Sequence, residues 1–463
     1  MMSLADAIIE EQMDQVQAYL RSGAPLNMFD EYGFTPLIEA AIADNIEIVK
    51  ILIDYGANVN LQDATGGTAL HWAAENNNIP LAKLLFERGA NPNTYTFAGQ
   101  PALVMPLLRQ QNEIKKLFLQ YGAHLEFAQD YINAKLLGHM FELVGTADII
   151  SPNKQFVELD FEGFFLEFSL AIIAESLTQF KNHFASREWR RYSQHIQIMI
   201  DVLNRAAQLI KYQQYRTNID KHRPEIDSLI QQEPLIIPIG YEGHAITFIK
   251  VGDILVKCDR REDSRLFDNV FLYHINNSPL VTVDFIRNLI YKKKSNEFVN
   301  EQLPSLLNLT PITEIKVAAQ ISGNCSWANV EACIPALFFL LFSRTPDFDK
   351  NIPRYKSIAL NFFKQWREWN KDRALNLCIQ SLKHANPVRQ ACKAEILAAI
   401  LYQSCREDNA LNETRIEDIL NVFSDLRYKH ILLNYVKSYC YEDQSDEGQH
   451  FMRILKKHGV ALR

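Results

Sequence analysis

No stretch of this 463-residue chain is long and apolar enough to cross a bilayer. The longest apolar run, Ala332 to Phe342, falls short of a membrane span and carries Pro335, so it reads as a buried helix. The chain has no surplus of positive charge; a net charge of −7 removes any global electrostatic case for nucleic acid as a direct ligand. Short basic runs at Arg187/Arg190/Arg191, Arg260-Arg261 and Lys292-Lys293-Lys294 are expected to be solvated faces. The seven cysteines all lie after residue 257, and none is in CxxC or CxxxC spacing. Free thiols in a reducing compartment are therefore expected, not a disulfide framework or a zinc site. The histidines show no HExxH spacing, and no Walker or GxGxxG loop occurs, so neither a metal nor any other cofactor is expected. The opening MMSLADAIIEEQMD puts acids where a secretory leader needs basic residues followed by an apolar stretch, so no amino-terminal export signal is expected.

Residues 33 to 126 repeat with a period of 33. The segments starting at Gly33, Gly66 and Gly99 end in Gly56-Ala57, Gly89-Ala90 and Gly122-Ala123, and Gly23-Ala24 closes a partial unit before them. Thr35-Pro36 and Thr68-Ala69 supply a hydroxyl cap and, once, an early proline for a first helix. Leu37/Ala40/Ala41 and Leu70/Ala73/Ala74 give that helix a small-residue face for close stacking. Ile48/Val49/Leu52 and Leu81/Leu84/Leu85 supply a second helix, which the glycines end in a left-handed turn. This pattern resembles the ankyrin repeat. Such units cannot bury their apolar faces alone, so residues 3–32 read as an N-terminal cap. The third unit has Pro101 in place of Thr and Pro106 in place of Ala73, which predicts a distorted first helix. The resemblance implies protein binding, with Phe29, Tyr32, Phe34, Tyr95 and Phe97 on the fingers as candidate anchors for a partner or, alternatively, as residues packed finger on finger. Asn60 and Asn93 follow the Gly-Ala pairs, where ankyrin repeats are hydroxylated by host enzymes; one added oxygen by mass spectrometry would show it. Their ordinary role is to bond the turn backbone.

The expected fold class is α+β, mostly α. Residues 1–130 form the ankyrin stack with its cap. A second domain, 131–345, reads as helical over 131–233 and then as a small antiparallel sheet with a cysteine-bearing helix over 234–345. The strands are Leu235–Ile239, His244–Val251, Ile254–Cys258 and Val270–Ile275. A loop containing Pro304 and Pro311 follows, and 346–463 forms a C-terminal helical region.

The segment Ala318 to Ala332, AAQISGNCSWANVEA, places Cys325 in the first turn of a helix that Asn324 can cap. Unsatisfied N–H groups and the positive dipole end there favour thiolate over thiol. A nucleophilic thiol needs a base and a group to orient the base. The segment GYEGHAITFIKVGDILVKCDRR reads as a hairpin turning at Gly252-Asp253. If Val251 pairs with Ile254, position sums of 505 define the ladder. His244 and Asp259 then share a face as diagonal neighbours, and Cys258 points the other way into the core. Asp263 or Asp268 could replace Asp259 under a different register, since a slip of one residue reverses the face of Asp259. The Cys325 backbone N–H with Gln320 or Asn324 could form an oxyanion hole. The plain alternative is that Cys325, His244 and Asp259 are respectively a small core residue, a satisfied sheet residue and a turn residue.

Gln320, Cys325 and Trp327-Ala328 resemble the Gln-x-Cys-Trp-Ala region of papain-like cysteine proteases, with Ser326 interrupting the Cys-Trp pair. The order His, acid, Cys is that of a permuted form, shared by ubiquitin-like-protein proteases and some bacterial effector acetyltransferases. The resemblance implies Cys325 as nucleophile, His244 as general base and acid, Asp259 as orienter and Gln320 as oxyanion donor, acting on peptide or isopeptide bonds or transferring acyl groups. The combination with ankyrin repeats is similar to the Legionella ankyrin-repeat effectors that enter host cells by type IV secretion. Glu442, Asp443, Asp446 and Glu447 before Phe451, Met452, Ile454 and Leu455 resemble such a secretion signal. That resemblance implies virulence-related action on a host protein in the host cytosol or nucleus. The alternative function is a non-catalytic scaffold with a vestigial protease pocket that blocks a host protein complex.

Overall fold

The computed structural model describes residues 3–161, 166–212, 219–241, 243–260, 270–318, 324–405, 411–442 and 445–460. The chain divides into two compact units, Met1–Glu162 with Lys371–Arg463, and Gly163–Asn370.

The first unit begins with a capping box, in which the Asp6 N–H donates to Ser3 and the Ser3 N–H donates to Asp6, and which starts α1 (Leu4–Ile9) ahead of α2 (Met13–Arg21). Thr35 Oγ1 then accepts from the Ile38 N–H at 3.3 Å, and Pro36 occupies the first turn of α3 (Pro36–Ile42), which is followed by α4 (Ile46–Asp54). In the next repeat, α5 (Ala69–Glu75) and α6 (Ile79–Glu87), a histidine helps to cap. The Thr68 N–H donates to His71 Nδ1 at 3.1 Å, and His71 Nε2 meets the Gln100 carbonyl at 3.3 Å. Burial lowers the His71 pKa to about 4, so the ring is neutral and can accept at one nitrogen while donating at the other.

Asparagines tie each turn to the next. The Asn58, Asn91 and His124 N–H groups donate to the side chains of Asn27, Asn60 and Asn93 at 2.8–2.9 Å. Asn60 and Asn93 in turn donate to the carbonyls of Gly89 and Gly122, each at 3.0 Å. The fingers are equally close. Gly66 has a φ of +84°, and a Cβ there would lie 2.4 Å from the Phe97 backbone nitrogen, so only glycine fits.

The third repeat is distorted as its prolines predict. Its first helix, α7 (Val104–Leu108), has five residues with Pro106 inside it, and α8 (Asn112–Gln120) follows. Leu125–Met140 forms α9, and an antiparallel hairpin, β1 (Thr146–Ile150) and β2 (Phe156–Asp160), comes next. This hairpin groups with the repeats, in the compact unit that runs to residue 162. Two contacts account for it: Leu159 and Val157 of β2 sit against Gly99 of the third finger, and Lys135 of α9 donates to the Asp160 carbonyl at 2.6 Å.

The second unit places α10 (Leu166–Asn182) against α11 (Ser193–Lys211), followed by α12 (Arg223–Ile230). A five-stranded antiparallel meander comes after, in the order β3 (Leu235–Tyr241), β4 (His244–Val251), β5 (Ile254–Cys258), β6 (Val270–Ile275) and β7 (Leu309–Ile315). Strand β7 was expected to be loop on account of Pro311. It is an edge strand, where a missing N–H costs no ladder bond if it faces away from the sheet. Between β6 and β7 lie α13 (Val283–Tyr291) and α14 (Leu303–Leu306). Leu235, Ile237, Ile239, Ile246, Phe248 and Leu255 line one sheet face and form a core with Ile226, Ile230, Ile286 and Ile290. Helix α15 (Cys325–Leu340) packs on β4 and β5 and is buried almost throughout. Phe338 of this helix stacks on Phe362, 4.4 Å between ring centroids, within α16 (Ile352–His384).

The remaining helices belong to the first unit: α17 (Pro387–Gln403), α18 (Glu413–Phe423), α19 (Leu426–Tyr435) and α20 (Asp446–Lys457). They attach to α9 through a buried carboxylate, Asp130, which takes Arg389 Nε at 2.7 Å and Lys393 Nζ at 2.5 Å. The apolar terminus read as part of a secretion signal is packed here: Phe451 and Leu455 are fully buried, because Asp446–Lys457 is amphipathic. Asp443 lies outside the described residues.

Candidate functional site

The turn Gly252-Asp253 fixes the register of β4 and β5. Val251 pairs with Ile254 and Thr247 with Cys258, the ladder of position sum 505. Asp259 follows the last pair, and His244 Nε2 lies 2.9 Å from its Oδ1. Cys258 points into the core, fully buried beside Cys333. Asp263 and Asp268, the alternatives under a register slip, lie outside the described residues, as do Gln320 and Arg261.

Cys325 opens α15 and comes to the start of β4, where the Ala245 N–H approaches its Sγ at 3.5 Å. The His244 ring, one residue before Ala245, is also what draws the thiol pKa down most against burial. Since Nε2 is committed to Asp259, Nδ1 is the ring nitrogen left for sulfur. Three side chains from two distant stretches thus meet, and Cys325 keeps partial exposure.

Burial opposes charge on all three groups, and their mutual bonds outweigh it. His244 is disfavoured as a cation by desolvation, yet the bonds to Asp259 and Cys325 raise its pKa to about 9. Burial pushes the Cys325 thiol up, but His244 and the N–H groups of Ala245 and Ser326 bring it below its ordinary value. Asp259 is raised by burial and lowered more by His244 and Lys257, ending below the usual carboxylate range. All three shifts run in the direction that favours the charged forms of thiol, ring and carboxyl.

Asn324 does not cap α15 with its side chain. Its ψ of 19° lies outside the extended geometry that aims a capping oxygen at the following N–H groups. Its carbonyl accepts from the Ala328 N–H at 2.9 Å, and its side chain is buried beside the thiol helix start. Arg260, expected to be solvated, is buried: its Nη1 lies 3.1 Å from Glu331 Oε2, and Arg367 holds the other Glu331 oxygen at 3.1 Å.

Two residues near the site went unread in the sequence. Lys257 Nζ lies 3.2 Å from Asp259 Oδ2 and donates to Asn300 at 2.6 Å. Asn329, fully buried, donates to the Ala245 carbonyl at 2.6 Å and accepts from the Arg260 N–H at 2.7 Å. Its signal in the sequence was its place one helical turn after Cys325, in a helix that also carries Ser326 and Glu331. Among the described residues, no group of three or more His, Cys, Asp or Glu is arranged to hold a metal ion, and no helix is long and apolar enough to cross a membrane.

On the ankyrin fingers the five aromatics separate into two sets. Phe29, Tyr32 and Phe97 are 53, 50 and 72% exposed. Phe34 and Tyr95 are not exposed anchors: Phe34 meets Trp72 edge-on at 6.2 Å and Tyr95 meets Phe127 edge-on at 5.6 Å.

The ankyrin-repeat family profile matches residues 4–96 in three copies, so the helix pair read as a cap counts within the repeats. No curated protein sequence matches the chain. Among solved structures the chain is similar to the Legionella effector AnkH, with 39% identity and a TM-score of 0.91 over 99% of this chain and 98% of that one. At that identity over nearly the whole of both chains, this protein belongs to the family of Legionella ankyrin-repeat effectors that includes AnkH.

Proposed function

We propose that the protein is delivered into a host cell, holds a host protein with its ankyrin fingers, and acts on it through a papain-like thiol centre of Cys325, His244 and Asp259. The observation that carries this reading is the convergence of sulfur, imidazole and carboxylate at the start of α15, with His244 Nε2 2.9 Å from Asp259. In the proposed reaction the Cys325 thiolate attacks the carbonyl carbon of a peptide or isopeptide bond. The C–N bond breaks, the imidazolium proton of His244 passes to the departing amine, and a thioester remains. Water attacks the thioester, giving a proton back to the imidazole, and the acid is released with the thiolate restored. An amine in place of water makes the same centre an acyltransferase. Asp259 holds the ring and stabilises its cation, as the acid of a triad does. Gln320 and the Cys325 N–H are the oxyanion donors in this scheme.

An electrophilic thiol probe tests the reading against that of an idle scaffold. Labelling of the wild type at Cys325 and its loss in Cys325→Ala are expected. A cellular effect undiminished in Cys325→Ala would leave the scaffold. The recognition half is tested separately with Phe29→Ala, Tyr32→Ala and Phe97→Ala combined. A single hot-spot residue at an interface centre costs about 2 kcal/mol or more when truncated, so with one of the three in that role recovery of the host partner should fall by over tenfold. Unchanged recovery would remove the fingers from the binding surface.

A further inference from the structure

We infer that Asn329 is a positioning residue: its side-chain amide is wedged between β4 and β5, and this wedge is what admits the thiol to His244. The inference rests on the thiol-centre reading above. In a hairpin closed by a two-residue turn, the pair flanking the turn is hydrogen-bonded and every second pair after it is too. Here these are Val251/Ile254, Ile249/Val256 and Thr247/Cys258, where the ladder stops. The next such pair would be Ala245 and Arg260, which also sum to 505. Helix α15 takes up the backbone groups of that missing rung. The Ala245 carbonyl accepts from Asn329 Nδ2 at 2.6 Å, the Arg260 N–H donates to Asn329 Oδ1 at 2.7 Å, and the Ala245 N–H turns to the Cys325 sulfur at 3.5 Å. An amide side chain offers both a donor and an acceptor, so it can stand in for a peptide group between two strands.

The consequence is geometric. Ala245 follows His244, Arg260 follows Asp259, and Asn329 lies one helical turn from Cys325 on the same rigid helix. One side chain therefore sets the positions of all three groups. Without it the hairpin can close its own rung, which would withdraw the Ala245 N–H from sulfur and shift the imidazole away from it.

The test is the pH dependence of Cys325 alkylation by iodoacetamide, read at that residue by mass spectrometry on the full chain. It needs no substrate. The wild type should react well below the ordinary thiol pKa, and Asn329→Ala should react at about pH 6 at least tenfold more slowly, its profile moving up toward a free thiol. Asn329→Asp keeps the acceptor for Arg260 and loses the donor to Ala245, so a smaller upward move is expected; it also serves if the alanine variant does not fold. An Asn329→Asp or folded Asn329→Ala profile that coincides with wild type, while His244→Ala differs, overturns the wedge and leaves the thiol centre standing. A wild-type profile that coincides with His244→Ala overturns the thiol-centre reading itself.

Discussion

Replacing His244 with alanine is expected to slow alkylation of Cys325 at about pH 6 by about one to two orders of magnitude, since an ordinary thiol of pKa ~8.5 is almost wholly protonated there. The sign follows from the two coupled shifts. The His244 pKa is raised to about 9 and that of Cys325 is lowered, and both shifts favour the proton on nitrogen and the charge on sulfur. Removing the ring takes away the hydrogen bond and the positive charge that hold the thiol down, while burial, which pushes it up, remains. The acid limb of the profile should therefore move to higher pH, and the wild-type plateau should disappear. Asp259→Asn gives an intermediate result. The amide preserves the shape of the carboxylate but not its charge, which weakens the imidazolium and returns part of the proton to sulfur. Above about pH 9 the wild-type imidazolium loses its proton, and the two proteins should converge. An alkylation rate at pH 6 that is the same in both would show that His244 does not govern the thiol.

The sequence carried the ankyrin stack because each repeat states its own physics, from the hydroxyl at Thr35 to the left-handed glycines at Gly56, Gly89 and Gly122. It carried the His244 to Asp259 contact for an equally local reason. A two-residue turn at Gly252-Asp253 permits one register, and the register alone puts both side chains on one face. What was not legible depends on partners far along the chain. The hairpin 146–160 and strand β7 are short and carry ambiguous patterns, and the neighbours they pair with decide their state. Arg260 looks like any basic run until Glu331 is brought to it. Phe34 and Tyr95 differ from Phe29 and Phe97 only in which aromatic ring the next repeat, or the helix closing the stack, presents to them. Asn329 is the extreme case. Its role exists only where a helix, a strand and the end of a hairpin meet, and its spacing from Cys325 marks a shared helix face without revealing that role.

Glu331→Ala is expected to destabilise the second unit by about 3–5 kcal/mol, the usual cost of removing one partner from a buried ion pair. The buried Arg260 guanidinium donates to the Ala318 and Ala328 carbonyls and to the Glu331 carboxylate. Arginine cannot shed its proton to escape burial, so without Glu331 the charge stays and loses the carboxylate held 3.1 Å from its Nη1. Glu331→Gln keeps the volume and an acceptor and should cost less. Four of the five tryptophans, Trp189, Trp327, Trp366 and Trp369, lie in this unit, so urea unfolding followed by tryptophan fluorescence reports chiefly on it. A midpoint unmoved by Glu331→Ala would mean that Arg260 finds water or another anion. The loss should also reach the thiol. The Arg260 N–H is one of the two groups that Asn329 grips, and a guanidinium driven to seek solvent pulls on that backbone. Cys325 reactivity at low pH should then fall in Glu331→Ala before the unit unfolds, whereas a merely destabilising core substitution would leave it unchanged until the unfolding transition.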